Sequence, residues 1–479
     1  MIIKYLIIIY IGIAGILYSQ SYGTITFTNY LDDKKAAFSF TFDDGLLTHN
    51  LNVRPILNQY GFKGTFYVLP PYLAEDNQPL IWRYGYWSDF KSLASEDHEI
   101  GSHTMNHFDL TTLPWGNINQ ESTLLYEIYQ SKIFIEQKIP FKKCISLNYP
   151  YTLHNSLVDS AAGLYYENGR SLGQLPNESS INDKEWFKLR AKVVTFNQPR
   201  YSFVDDLDEL YSFLEWTQNS IDNKKWGIII IHDVVPASQL PELVNQGIYE
   251  PISNEWLEAL CDFLSIRSNN NEVWVETVGN VTRYIKERDA AEPLIISTSD
   301  QLIEISVSDN LPDNIFNYPL SAYVKIPDDW YYVRTEQSGN VDTLTTSLTD
   351  TGRVVLVKVI PDNGNLKITP IITTSVDDEV IGLEEFILYQ NYPNPFNPST
   401  IISWQSPVSG WQTLKVYDVL GNEVAVLLDE YKLAGMYNVQ FTMDNLPAGG
   451  QGGKLSSGLY FYQLKAGDYF ETKKMMYLK

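Results

Sequence analysis

Cysteine and histidine are both scarce in this chain. Only two cysteines, Cys144 and Cys261, and six histidines occur among its 479 residues. Two cysteines with this spacing cannot form a cysteine-based metal site. Secretion would permit a disulfide between them. However, Cys144 opens a predicted strand and Cys261 lies in a predicted helix, which favours two buried free thiols.

Basic residues are outnumbered by acidic ones. Lysine and arginine together number 35, against 58 aspartates and glutamates, and the formal net charge is −23. No basic patch is present to meet the phosphates of a nucleic acid, so a nucleic-acid partner is excluded. A charge of this sign also gives no long-range attraction to a strongly anionic substrate. It is compatible with a secreted enzyme.

Long apolar runs are absent after the first residues. Residues 5–17 carry no charge, follow a single lysine and precede small and polar residues. This pattern predicts a secretory signal peptide over residues 1–23, because the run is short for a membrane span; a retained anchor is the alternative. No later segment has 18 consecutive apolar residues, so the mature protein is predicted to be soluble and to have no membrane span.

Strand-like and helix-like stretches alternate from residue 36 to about residue 287. The predicted strands are 36–41, 64–69, 99–102, 144–147, 164–166, 189–194, 227–231 and 273–275. The predicted helices are 52–59, 87–95, 120–137, 205–218 and 255–266. Such alternation implies parallel strands with helices outside, which predicts an α/β fold, a (β/α) barrel domain over residues 24–289.

Two short strings contain residues that suit a metal site. Asp43 and Asp44 stand side by side after the first predicted strand, and His103 and His107 lie four residues apart after the third. A spacing of four lets one helical turn aim both imidazoles at one point. One aspartate with two histidines is a common ligand set for a divalent metal, and the neighbouring aspartate is free to act as a base. His232 ends the apolar run 228–231 and could serve as an acid.

These strings resemble the motifs of the polysaccharide deacetylases of carbohydrate esterase family 4, the NodB-homology domain. The resemblance rests on TFDDG at residues 41–45, HTMNH at 103–107, NYPY at 148–151 and the strand end IIH at 230–232. It covers roughly residues 36–288. The third motif has Asn148 where the family has arginine, and the fourth motif, Asp-x-x-Asp-Trp, has no convincing match. The resemblance implies an irregular barrel of about seven strands.

The resemblance also implies a mechanism. Asp44, His103 and His107 would bind a divalent ion, with Zn²⁺ preferred and Co²⁺ or Ni²⁺ as alternatives. Asp43 would remove a proton from the attacking water, and His232 would protonate the departing sugar nitrogen or oxygen. The backbone N–H of Tyr151 would hold the oxyanion. The expected partner is an acetylated polysaccharide, which would lose N-acetyl or O-acetyl groups.

The asparagine at position 148 leaves open what pairs with the catalytic aspartate. In the resembling family the arginine of this motif fixes the charge and orientation of that aspartate. Arg170 follows the fifth predicted strand and is positioned to take over this pairing. An ordinary surface arginine is the alternative.

Several further residues are predicted to line the substrate site. They are Tyr151, Asn148, Pro150, Arg170, Trp82 and Trp87. Trp82, Tyr86 and Trp87 precede the second motif and could form a sugar-stacking wall, or they could pack in the barrel rim. The remaining histidines, at positions 49, 98 and 154, are not expected to bind metal; His154 is the one that could touch substrate.

The period of the apolar residues changes to two after residue 290. Residues 290–374 predict a small β-sandwich, and the acidic stretch 375–385 suits a linker. In residues 386–479 the strings QNYPNPFNPST at 390–400, VYDVLG at 416–421 and SSGLY at 456–460 resemble the C-terminal sorting domain of the type IX secretion system. This resemblance implies a β-sandwich, a secretion machinery as partner, and export through the periplasm and outer membrane to the cell surface or medium.

Two other functions compete with an active deacetylase. One is a non-catalytic carbohydrate-binding descendant of the fold, made conceivable by the missing arginine and fourth motif. The other is a glycoside hydrolase that uses Asp43 and Asp44 as an acid/base pair. Adjacent residues at a strand end point in opposite directions, which argues against that pair. The presence of all three ligands, Asp43 and His232 favours deacetylation.

Overall fold

The computed structural model describes residues 22–194, 207–371, 386–391, 393–432, 435–442, 457–467 and 469–477. These residues form two compact units that divide between Pro370 and Ile371. Residues 1–21 of the predicted signal peptide and the predicted linker 375–385 lie outside the described residues. In the described part of the chain, no helix is long and apolar enough to cross a membrane.

The first unit is built around a closed parallel barrel. Its strands up to the end of the barrel domain are β1 Ile25–Phe27, β2 Ala36–Phe42, β3 Gly64–Val68, β4 Glu99–Ser102, β5 Ser146–Asn148, β6 Asn168–Leu172, β7 Leu189–Val193, β8 Trp226–Ile231, β9 Val234–Val235, β10 Ile252–Ser253 and β11 Val273–Val275. Strands β2 to β8 pair in sequence order, and β8 pairs back onto β2. The predicted α/β barrel is confirmed, with seven strands in the ring and β11 added beside β2.

Helices follow the strands on the outside of the barrel. They are α1 Arg54–Tyr60, α2 Trp87–Ser95, α3 Leu124–Lys138, α4 Ser156–Ala162, α5 Leu207–Asp222, α6 Leu240–Asn245, α7 Asn254–Asn269 and α8 Val278–Ala290. Strand β2 shows why they pack there. Phe38, Phe40 and Phe42 alternate along it and are buried in a cluster with side chains of these helices, such as Leu57. The residues between them face the barrel interior, because successive side chains of a strand point to opposite sides.

The fifth predicted strand, at residues 164–166, is wrong. The backbone N–H groups of Leu164 and Tyr165 donate to the carbonyls of Ala161 and Ala162, so this stretch is the turn that ends α4. The strand is β6, which begins at Asn168. The inward residues Asn168 and Arg170 are polar because they serve the barrel interior, and their polarity masks the hydrophobic alternation of the strand.

The end of the barrel opposite the candidate site is closed by α8. The backbone N–H of Gly279 donates to the Glu99 carboxylate over 2.7 Å, and the Thr282 hydroxyl accepts from the Asn168 amide over 3.0 Å. Glu99 and Asn168 stand at the first residues of β4 and β6. Because parallel strands begin at one end of a barrel and finish at the other, the opposite end remains available for a site.

A β-sandwich packs against α8 in the same unit. Its strands are β12 Glu292–Thr298, β13 Ile303–Ser308, β14 Leu320–Lys325, β15 Tyr332–Gln337, β16 Asn340–Thr345, β17 Ser347–Thr349, β18 Gly352–Val359 and β19 Leu366–Pro370. One sheet has the order β12-β13-β19-β15-β16 and the other β1-β14-β18-β17. Strand β1 precedes the barrel in sequence yet pairs with β14. One hydrophobic core joins Trp226 of the barrel, Tyr284 of α8 and Ile305 of the sandwich.

The described residues of the second unit form two antiparallel sheets. Its strands are β20 Ile387–Leu388, β21 Ser399–Ser406, β22 Gly410–Tyr417, β23 Glu423–Lys432, β24 Gly435–Thr442, β25 Gly458–Ala466 and β26 Tyr469–Tyr477. The sheets have the orders β20-β21-β24 and β23-β22-β25-β26. Trp404, Leu414 and Tyr462 are buried in the core of this unit. Each lies on a strand along which buried and more exposed residues alternate, as the period of two predicts.

Both cysteines are free and buried, as the sequence predicts. Cys144 precedes β5 and Cys261 lies within α7. Burial raises the pKa of the Cys144 thiol to about 12, so this thiol is held in its neutral form.

Candidate active site

The predicted catalytic residues meet at the carboxyl ends of the barrel strands. Asp43 follows β2, His103 follows β4, and His232 follows β8. They line one cavity of about 480 Å³. The other lining residues are Asp44, His107, Tyr149, Tyr151, Thr152, Leu172, Val193, Ile230 and Tyr249. The cavity therefore lies where a parallel barrel presents the ends of its strands.

The two adjacent aspartates face the same cavity. Asp43 continues the inward alternation of β2, whereas Asp44 has a φ of 74° and turns the chain back toward the opening. The expectation that neighbouring residues at a strand end must point apart is therefore wrong here. It holds for extended backbone, and Asp44 has left the extended region.

The two histidines of the second string lie in a loop, so the predicted helical turn between them is wrong. Thr104 and His107 have φ values of 70° and 58°, which a right-handed helix does not allow. The buried carboxylate of Glu127, on α3, shapes this loop. It accepts hydrogen bonds from the backbone N–H groups of Met105 and Asn106 and from the Asn106 amide, over 2.7–3.1 Å.

Asp44, His103 and His107 form a compact group of ligand atoms. One atom from each lies within 4.8 Å of the others. The Asp44 Oδ1 is 3.5 Å from His103 Nε2 and 3.9 Å from His107 Nε2, and the two Nε2 atoms are 3.2 Å apart. No other group of three such ligands occurs among the described residues.

The orientation of His103 suits a metal ligand. Its Nδ1 lies 3.1 Å from the carbonyl oxygen of Asn148, which accepts a hydrogen bond from the protonated nitrogen. This contact leaves the Nε2 lone pair facing Asp44, the arrangement that metal-binding histidines commonly adopt. Burial lowers the pKa of His103 to about 3, so its imidazole is neutral and free to bind a cation. The donor set therefore fits a divalent ion.

Arg170 forms a buried ion pair with Asp43. Its Nη2 donates to Asp43 Oδ2 over 2.6 Å, and the Arg170 side chain is completely buried. The surface alternative for Arg170 is therefore wrong. Burial by itself would raise the pKa of Asp43, but the charge and the hydrogen bond of the Arg170 guanidinium hold that pKa below its ordinary value. Asp43 is thus ionised and oriented.

The pairing of β5 with β6 explains how Arg170 reaches this position. Asn148 and Arg170 are partners in that parallel pair. Neighbouring strands lie about 4.8 Å apart, and paired residues point to the same side of the sheet. An arginine on either strand can therefore point into the barrel toward Asp43.

His232 lies on the other side of Asp43. Its Nε2 is 4.0 Å from Asp43 Oδ2, and its carbonyl lies 3.1 Å from the Nε2 of the buried His49. Next to it, buried Asp233 accepts from Thr48 and Arg83, which fixes the chain just after β8. The cavity thus has a cluster of metal-type ligands on one side and a single histidine on the other.

The predicted substrate residues divide into exposed and buried groups. Tyr151 and Trp82 are 61% and 62% exposed. The centroid of the Tyr151 ring lies 4.6 Å from that of His107, and the centroid of the Trp82 ring lies 5.5 Å from that of Tyr84. Asn148, Pro150, Arg170 and Trp87 are buried, and their contact with substrate stays a prediction. Trp87 stacks on Phe134 in the core, the Asn148 carbonyl accepts from His103, and Arg170 pairs with Asp43.

The remaining histidines have structural contacts. His98 lies at the start of β4, away from the site, and its Nδ1 accepts from Gly64 N–H over 3.0 Å. His154 bonds to Asp159 over 2.7 Å and stacks on Tyr149. His49 lies beneath His232. These contacts explain their presence without a metal.

Three further residues in or near the site were not predicted from the sequence. Glu127 gave no signal, because it is one glutamate among many on a helix. Tyr84 belongs to the segment that hydrogen-bonds beside the Asp44 turn, through Gly85 N–H to the Gly45 carbonyl. Tyr249 lies 17 residues after His232 in a stretch without a motif. Only the fold brings Tyr249 to the cavity and Glu127 to the loop of the two histidines.

Comparison with known families agrees with this geometry. Residues 31–167 match the family described as polysaccharide deacetylase, and residues 390–478 match the secretion system C-terminal sorting domain. The fold and site thus define a NodB-type barrel. The chain contains a polysaccharide deacetylase domain of carbohydrate esterase family 4, followed by a type IX sorting domain.

Individual relatives match only in part. A protein named gellan lyase from a Bacillus species is 25% identical over 362 residues, which are 73% of this chain and 13% of that protein. A chitin deacetylase from a Pestalotiopsis species is 33% identical over 126 residues, which are 26% of this chain and 38% of that protein. The chain therefore spans well under half of either relative.

Solved structures of deacetylases are more distant. The Xyl-CE4 domain of a multidomain xylanase from the hindgut metagenome of Trinervitermes trinervoides is 15% identical, with a TM-score of 0.29. The match covers 50% of this chain and 97% of that domain. A score this low supports no conclusion about function.

Proposed function

We propose that the barrel unit is a secreted, metal-dependent hydrolase that removes acetyl groups from a polysaccharide. The observation that carries this proposal is the cavity itself. It brings the Asp44, His103 and His107 ligand group together with the Asp43–Arg170 ion pair and with His232. These are the parts that amide or ester hydrolysis needs: a metal site, a base and an acid.

Asp44, His103 and His107 would hold the metal, preferably Zn²⁺, with Co²⁺ or Ni²⁺ as alternatives. Carboxylate and imidazole ligands suit these ions. A divalent ion bound there would supply Lewis acidity toward the acetyl carbonyl and would lower the pKa of a water molecule.

Asp43 would accept the proton of the attacking water. Its Oδ2 is bonded to Arg170, whereas its Oδ1 has no hydrogen-bond partner within the described residues and remains able to accept. His232 would then donate a proton to the departing sugar nitrogen or oxygen. The backbone N–H of Tyr151 would donate to the carbonyl oxygen as negative charge develops on it.

The lining of the cavity suits a small acyl group. Leu172, Val193 and Ile230 provide an aliphatic surface beside the charged residues, against which a methyl group can pack. The similarity to a chitin deacetylase favours N-acetyl groups as the substrate. O-acetyl groups on a glycan are the second candidate substrate, with the sugar oxygen as the leaving group.

The two competing functions fit the site less well. A non-catalytic descendant was suggested by the arginine missing at position 148, but Arg170 provides the same charge to Asp43. A glycoside hydrolase would need two carboxylates on opposite sides of a sugar bond. Here Asp44 is grouped with two histidines and Asp43 with an arginine.

Substitution of the two aspartates tests the assignment of roles. Asp44→Asn should lower both metal content and acetate release, because it removes a charged ligand. Asp43→Asn should keep the metal and lower acetate release by roughly 10²–10⁴-fold, because it removes the base. Acetate release from a panel of acetylated glycans and elemental analysis are measured together, with exposed Asp313→Asn as the control. Full activity of Asp43→Asn with metal bound would place the base elsewhere.

A further inference from the structure

The chain between β8 and α7 forms a small folded lobe beside the cavity. This β9–β10 lobe, residues 234–253, pairs β9 with β10 and buries Val235, Leu240 and Leu243 in a core of its own. Its end is fixed to the barrel, because Ile252 N–H donates to the Asp233 carbonyl over 2.9 Å and Ser253 caps α7. A side chain carried by this lobe is therefore held in place near His232.

Tyr249 is the residue that the lobe brings to the cavity. Its ring centroid is 5.0 Å from that of His232, with the ring planes nearly perpendicular. Tyr249 lines the same cavity as Asp43 and is 60% exposed. An exposed aromatic ring at the wall of a polar cavity offers an apolar face to a ligand.

The chemistry of the proposed reaction decides which part of the substrate this ring meets. Hydrolysis breaks the bond between the acetyl carbon and a sugar nitrogen or oxygen, and the sugar atom receives a proton as it leaves. His232 is the proposed proton donor, so the leaving atom must face His232. The acetyl group then points toward Asp44 and the two other ligands. The sugar ring that carries the leaving atom consequently lies on the side of Tyr249.

We propose that Tyr249 binds the sugar ring from which the acetyl group is removed, with its aromatic face against the apolar face of that ring. This proposal rests on the proposed deacetylase function and assigns a glycan-binding role to the β9–β10 lobe. Tyr151, beside His107, borders the cavity on the side of the metal ligands. The two rings therefore border opposite sides of one site.

Two substrates of different size separate binding of the sugar from the chemistry. An aryl acetate has the same scissile acyl group as an acetylated oligosaccharide but no sugar. For Tyr249→Ala, the ratio of kcat/KM on the oligosaccharide to kcat/KM on the aryl acetate should fall about 5- to 10-fold, mainly through KM, as expected for the loss of one aromatic contact. Tyr249→Phe should keep most of the ratio, because the ring face remains. Tyr211→Ala, which removes a 63% exposed tyrosine from α5, serves as the matched control.

Binding is measured in parallel, so that the two proposals can fail separately. In an Asp43→Asn background, adding Tyr249→Ala should weaken oligosaccharide binding by a similar factor. An unchanged ratio and unchanged binding would overturn the role of Tyr249 while leaving the deacetylase proposal intact. An equal loss on both substrates would also overturn it, because Tyr249 would then act by orienting His232. A wild-type protein that neither binds nor deacetylates any acetylated glycan would refute both.

Discussion

At the scale of single residues, the position of the arginine beside Asp43 is the most informative finding. The motif position on β5 holds Asn148, and the charge comes from Arg170 at the paired position of β6. The same ion pair can be supplied by either strand because paired positions of a parallel sheet point to the same side. The backbone carbonyl of Asn148, which holds His103, does not depend on the side chain at that position.

Exchange of these two residues tests the equivalence of the strands. Arg170→Asn should lower the free energy of unfolding by about 3–5 kcal/mol and abolish most acetate release, because it leaves the Asp43 carboxylate buried without its partner. The double variant Asn148→Arg/Arg170→Asn should recover much of both. Denaturant unfolding and acetate release are measured for the three proteins. If Arg170→Asn behaved like the wild type, the ion pair would have no role.

At the scale of elements, α3 acts on the site through Glu127. This buried carboxylate takes three hydrogen bonds from the loop that carries His103 and His107. Burial raises the pKa of Glu127, and the hydrogen bonds from Asn106 and Met105 counter this effect. The helix therefore fixes the shape of a loop that has no regular structure of its own.

Glu127→Gln should weaken metal binding by roughly 10- to 100-fold, the usual effect of losing a group that orients ligands. The amide keeps one acceptor oxygen but cannot take all three hydrogen bonds. Competition with a chromophoric chelator gives the metal affinity of the variant and of the exposed control Glu121→Gln. Wild-type affinity in Glu127→Gln would show that the loop holds its shape without this carboxylate.

The contact between α8 and the sandwich contains another buried acid. Glu287 accepts from the Tyr318 N–H over 2.8 Å, and burial raises its pKa to about 8. The folded state therefore binds this proton more tightly than the unfolded chain, whose glutamate has its ordinary pKa of 4.5. The contribution of this group to the free energy of unfolding is complete below pH 4.5. It is lost as pH rises from there through about 8, at up to about 1.4 kcal/mol per pH unit.

Glu287→Gln should remove this part of the pH dependence. Between pH 5 and pH 8 the free energy of unfolding should fall less steeply for the variant than for the wild type. Denaturant titrations at several pH values provide the measurement, with the exposed Glu292→Gln as the control. Parallel pH profiles for wild type and Glu287→Gln would contradict the assignment of a raised pKa to this group.

At the scale of the whole molecule, the barrel and the first sandwich form one compact unit. They share a hydrophobic core, and β1 joins the sandwich before the chain enters the barrel. The similarity to the gellan lyase segment covers 73% of this chain, more than the barrel alone. We infer that the sandwich is needed for the stability of the catalytic barrel, since its removal would expose the shared core to water.

Processing at both ends is the expected consequence of export. We predict that residues 1–23 and the sorting domain from about residue 386 are absent from the protein recovered at the cell surface or in the medium. Mass spectrometry of protein from the native host provides the masses of the termini. A full-length chain retained in the cytoplasm would contradict the prediction.

The sequence by itself determined the barrel, most of its strands and the candidate site residues that the fold brings together. Apolar strands such as β2 and β8 are recognisable from their runs of hydrophobic residues. The aspartates and histidines stand in short strings at strand ends. Local patterns suffice there because each string spans only a few consecutive residues.

Only the tertiary structure decided which residues support these strings. Arg170 pairs with Asp43, which is 127 positions away in the sequence. Glu127 accepts hydrogen bonds from the histidine loop, about 20 positions away. Tyr249 contacts His232, which is 17 positions away. Strand β6 was also missed, because its inward residues Asn168 and Arg170 are polar. Contacts of this kind depend on strand order and register, which follow from how the whole barrel closes.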